Sequence, residues 1–108
     1  MRGHQDRYDE GVSQALVEPP PFPPLDETTA RANAVALHRL GARHGVSELR
    51  FASLGRLIGH LDEDRGMGDM ALFQRDVEDL LGAHADFFTD GLLGKPGVSA
   101  DLLSARPL

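Results

Sequence analysis

A chain of 108 residues, 41% hydrophobic and 26% charged, has the length of one small domain and the composition of a soluble globular protein. Its net charge of -6 repels phosphate backbones and excludes duplex nucleic acid as a default partner. The absence of cysteine excludes disulfides, thiolate catalysis and Cys-ligated zinc.

Residues 1 to 25 read as a disordered, Pro-rich tail. Its start, Met1 to Glu10, is polar and mixed in charge, without the apolar core of a signal peptide. No apolar run approaches the ~20 residues of a membrane span, so no membrane contact and a cytoplasmic location are expected. Glu18-Pro19-Pro20-Pro21-Phe22-Pro23-Pro24 lacks backbone donors at its prolines and favours polyproline II. Such a stretch is either a stiff spacer, the preferred reading, or a Pro-rich ligand with Phe22 as its anchor.

Residues 26 to 108 read as the domain. A first helix is predicted from Glu27 to His44, with Asp26 or Thr28 as its cap and Gly45 in the left-handed position after its end. Ala30, Ala34, Leu37 and Leu40 form its apolar stripe, and Arg31, Arg39 and Arg43 its solvated side. Val46 to Ala52 reads as a strand with Leu49 and Phe51 on one face and Glu48 and Arg50 on the other. Leu57 to Leu61 reads as a short buried strand, weakened by Gly59. A second helix is predicted from Asp69, as cap, to Leu81, with Met70, Phe73, Val77 and Leu80 facing the core. Ala83 to Thr89 is a third strand, closed by the turn residues Thr89-Asp90-Gly91. A further turn at Lys95-Pro96-Gly97 leads to a short helix from Asp101 to Ala105. This order gives an α+β domain, a small mixed sheet flanked by helices.

The stretch Phe51 to Gly66 raises the chemical question. Its apolar run ends in Asp62-Glu63-Asp64, and two carboxylates one residue apart are a common way to hold Mg²⁺. They are equally a way to end a strand in water. The five histidines offer a second metal reading, in which His60 and His84 on adjacent strands join Asp86 around zinc. Solvated or hydrogen-bonded histidines are the simpler expectation. A Ser53-His84-Asp86 triad lacks a nucleophile elbow around the serine.

From Ala30 to Leu108 the chain resembles the minimal nucleotidyltransferases, small relatives of the DNA polymerase beta fold. The resemblance rests on three segments in order. Leu37 to Ser53 is similar to the family's first helix and strand, which ends there in Phe-Gly-Ser. Gly68 to Leu93 is similar to the helix and strand after the catalytic loop, and Leu102 to Leu108 to the family's C-terminal ending. The resemblance implies a Gly-Ser turn at the triphosphate, an Asp-x-Asp pair opening the next strand, and a third Asp on the strand after the next helix. Two Mg²⁺ ions held there lower the pKa of an attacking hydroxyl.

Carried onto this chain, Ser53 matches the family serine and Asp86 the third carboxylate. Ala52 replaces the glycine, and its Cβ crowds the triphosphate and disfavours positive φ. The pair itself has two placements. If Leu57 to Leu61 is the body of the second strand, Leu54, Gly55 and Arg56 stand where the pair belongs and the catalytic segment is missing. If Asp62 and Asp64 are the pair, no apolar strand follows them, since Arg65-Gly66-Met67-Gly68-Asp69 comes next. The first placement is preferred.

It implies a truncated, degenerate nucleotidyltransferase fold without activity, with Ser53 and Asp86 vestigial, Ala52 and Ser53 at the nucleotide position, and no cofactor. The alternative is an active enzyme that moves AMP from ATP to a protein hydroxyl through Asp62, Asp64, Asp86 and Mg²⁺. The family commonly serves as the antitoxin of an all-helical HEPN-type toxin, so a HEPN-type partner is implied, and contact alone could mask it. A sheet edge left exposed by the missing segment would favour a homo-oligomer.

Overall fold

The structure is a computed structural model that describes residues 22–108. The tail up to residue 21, with Glu18 to Pro21 of the Pro-rich run, lies outside the described residues. The elements are α1 (Glu27–Ala32), α2 (Ala34–Arg43), β1 (Val46–Ser53), β2 (Arg56–Leu61), α3 (Met67–Leu81), β3 (Asp86–Thr89), a 3-10 helix (Asp90–Gly94), α4 (Ala100–Leu103) and β4 (Arg106–Pro107). They form the expected α+β architecture around a four-stranded mixed sheet of order β3-β2-β1-β4.

The predicted first helix is broken at Asn33. The Asn33 side-chain amide donates to the Thr29 carbonyl at 2.8 Å, competing with the helical backbone as Asn side chains do. Asp26 is the N-cap and accepts from the Thr29 amide at 2.7 Å, while Gly45 takes φ 73° after the end of α2. In β1, Val46 and Leu49 are both buried although three residues apart. A register shift between Ser47 and Arg50, with Glu48 at φ 52°, inserts the extra residue that brings both to one face.

Gly59 is required rather than merely tolerated. A Cβ there would stand 2.9 Å from the Ser47 carbonyl oxygen and 3.2 Å from the Phe87 ring. α3 begins two residues before its predicted start, because Gly66 is the cap and Asp69 reaches back to the Gly66 amide at 3.1 Å. Its inner face is also rotated: Phe73 and Val77 are buried and Leu81 packs on the core, whereas Leu80 is 49% exposed. The third strand is shorter than predicted, because Ala83 to Ala85 form an extended lead-in before Asp86. The terminal helix stops at Leu103, and Arg106–Pro107 then adds an edge strand that the sequence reading lacked.

The core between the helices and the sheet joins Leu37 and Leu40 of α2, Leu49, Phe51 and Leu57 of the sheet, and Phe73 and Val77 of α3. Phe73 meets Phe87 edge to face at 5.3 Å between centroids. Ile58, fully buried, points to the opposite face, where the 3-10 helix and α4 pack on the sheet. Leu25 is also fully buried and belongs to the core, so the boundary after residue 25 stands too late. The Leu25 amide donates to the His84 carbonyl, the His84 amide to the Pro23 carbonyl, and the Gly55 amide to the Leu25 carbonyl. The segment from Pro23 to Leu25 is thereby part of the domain.

Candidate functional site

Two of the residues singled out by sequence, Ser53 and Asp86, come to one end of the sheet. β1 and β2 are antiparallel and joined by the tight turn Leu54-Gly55, so the end of β1 meets the start of β2. β2 and β3 are parallel, so the start of β3 lies at the same end. Ser53 pairs with Arg56, and Arg56 pairs with Asp86. Ser53, Arg56 and Asp86 therefore stand in a row, with the arginine in the middle.

The chemistry of that row is ionic and closed. The Ser53 hydroxyl donates to Asp101 at 2.6 Å, and Nη1 of Arg56 donates to both Asp101 oxygens at 3.1 and 2.9 Å. The Ser53 hydroxyl, then the Ser99 hydroxyl and the Arg56 charge, hold the Asp101 carboxyl down to about 2 from 3.8. The Arg56 guanidinium also lies over the Phe88 ring at 4.7 Å. Asp86 is exposed and accepts from His84 Nε2 at 3.0 Å, while the other nitrogen of that ring bonds Glu78. The Glu78 carboxylate, ahead of Asp86, raises the His84 pKa above 6.5. His84 is thus a clamp between α3 and β3.

The remaining candidates are elsewhere. Asp62 and Asp64 follow β2, where the Asp62 amide donates to the Gly45 carbonyl at 2.9 Å beside the start of β1. Asp86 pairs with Arg56 at the other end of the strand. The six intervening steps at ~3.3 Å put the two groups roughly 20 Å apart along the sheet. His60 is separated from His84 in the same way and bonds Asp90 at 3.2 Å, so the His60, His84 and Asp86 reading of a zinc site is not realised. Among the described residues no three His, Asp or Glu side chains gather as metal ligands. Ala52 sits at an irregularity in β1 without positive φ, and Gly55, at φ 73°, takes the left-handed position three residues later.

A Mg²⁺ pair at the Ser53–Asp86 end does not fit the residues present. A guanidinium occupies the middle of the row, and the two nearby carboxylates are engaged by Arg56 and His84. Arg56 and Asp101 were not among the residues singled out. Arg56 looks like the ordinary start of a strand, and Asp101 lies 45 residues away in a short helix, so no local pattern joins them.

A solved structure whose name assigns it provisionally to the minimal nucleotidyltransferases matches this chain with a TM-score of 0.59 and 29% identity, covering 78% of this chain and 97% of that one. The sheet order, the strand directions and this match define a small nucleotidyltransferase-like fold. No protein-family model and no curated protein matches the sequence.

Proposed function

We propose that this chain uses a nucleotidyltransferase-like fold for contact and not for nucleotidyl transfer, and that its partner is a HEPN-type, all-helical toxin. The observation that carries the first half is Arg56. It opens β2, the place where the resemblance expects paired carboxylates, and it is locked to Asp101, which also accepts from Ser53. A cation there disfavours Mg²⁺ and leaves Asp86 without a second ligand, while Mg²⁺ needs several oxygen ligands. The partner rests on the resemblance, and a net charge of -6 suits a basic ribonuclease.

The competing reading uses Asp62, Asp64 and Asp86 with Mg²⁺ to move AMP from ATP to a protein hydroxyl. It requires those carboxylates to converge at Ser53, and the strand register separates them.

Calorimetric titration of ATP, with and without Mg²⁺, tests the first half. The expected outcome is no Mg²⁺-dependent heat of binding. Mg²⁺-dependent binding abolished by Asp86→Ala would sink it. Coexpression with a HEPN-type protein encoded beside it tests the second half: a stable complex is expected, and two proteins that elute separately would reject the partner.

A further inference from the structure

The sheet face away from the long helices carries an open cleft of about 390 Å³, walled by Arg56, Phe88, Leu92, Lys95, Val98 and Ser99. Its volume falls within the ~300–1,000 Å³ of small-molecule sites. No acidic side chain lines it, although the chain carries a net charge of -6. Nη1 of Arg56 makes all of that residue's bonds to Asp101 and Ser99. Among the described residues Nε and Nη2 have no hydrogen-bond partner, which leaves one edge of the planar fork free for a carboxylate. Lys95 is exposed and stands outside the ion pairs of the described residues.

The charge balance narrows the ligand. Asp101 offsets one of the two cations, so the cleft presents close to one net positive charge. That suits a monoanion, whereas a triphosphate would need more cations or a metal. Phe88, Leu92 and Val98 offer the apolar wall. We propose that this cleft binds a small amphipathic monocarboxylate, held by the free edge of Arg56 and by Lys95, with its apolar body against Phe88, Leu92 and Val98. The proposal stands apart from the toxin partnership and does not depend on it.

The experiment is an NMR titration of the full chain with 4-phenylbutyrate, following the backbone amides of Lys95, Gly97, Val98 and Ser99. Saturable shifts are expected, with roughly tenfold weaker binding for neutral 4-phenylbutanamide and for Lys95→Ala. Lys95 is exposed, so that variant keeps the fold even if Arg56→Gln does not. Equal binding of acid and amide, unchanged binding by Lys95→Ala, or no saturation by ~10 mM would overturn the proposal. Stronger shifts of the same amides by Mg²⁺-ATP would also overturn it, by giving the cleft to a nucleotide.

Discussion

Asp101 gathers more of the site than any residue the sequence pointed to. It accepts from Ser53 on β1 and from Arg56 on β2, and so ties α4 to the end of the sheet. Its carboxyl is held down to about 2 against 3.8. A depressed carboxyl contributes stability that is present above the higher value and lost as pH falls through the lower. Acid unfolding of the wild type should therefore steepen between pH 3.8 and about 2, and Asp101→Asn should flatten that window. Circular dichroism against pH checks this, and identical profiles would remove Asp101 from the account. Ser53 had a legible signal, its place at the end of a strand in a family-like segment. Its partner had none, because a hydrogen bond across 48 residues leaves no trace in local spacing.

At the scale of elements, alternation and periodicity located every long element, and their edges were set by contacts that alternation does not encode. The α3 start moved because Asp69 works from the third helical position rather than from the cap. Its inner face turned from Leu80 to Leu81 because a stripe counted at three and four residues can drift either way around a helix. β4 was missed because two residues carry no period. Gly59 illustrates a signal read with the wrong sign. Glycine weakens an isolated strand, yet here it admits the Ser47 carbonyl and the Phe87 ring. Gly59→Ala should destabilise the domain by ~1–3 kcal/mol, the usual cost of overpacking. Thermal melts would show it, and an unchanged melting temperature would mean that the strands part at little cost.

At the scale of the whole molecule, three histidines of the described residues pair with carboxylates: His44 with Asp76, His60 with Asp90, and His84 with both Glu78 and Asp86. His84 holds the most, since its backbone also bonds Pro23 and Leu25. Its folded pKa is raised above 6.5, so its contribution is present below that value and lost as pH rises through the folded one. Urea unfolding should show wild type exceeding His84→Gln by about 1 kcal/mol at pH 6, and by less at pH 8.5. A difference that grows with pH would show that the imidazolium is not the form that clamps.

Both ends of the described chain are sewn to its middle. Leu25 is fixed between Gly55 and His84, and the Leu108 amide donates to the Leu49 carbonyl at 3.0 Å. Among the described residues, the face of the sheet that holds Ile58 is covered by the 3-10 helix, α4 and the segment between them. A chain whose residues 90–108 have not yet docked therefore has its helical side built while Ile58 lies bare and the outer edge of β1 is unpaired. Such a partly assembled state offers an apolar face and an open strand edge, the two features through which incomplete folds associate.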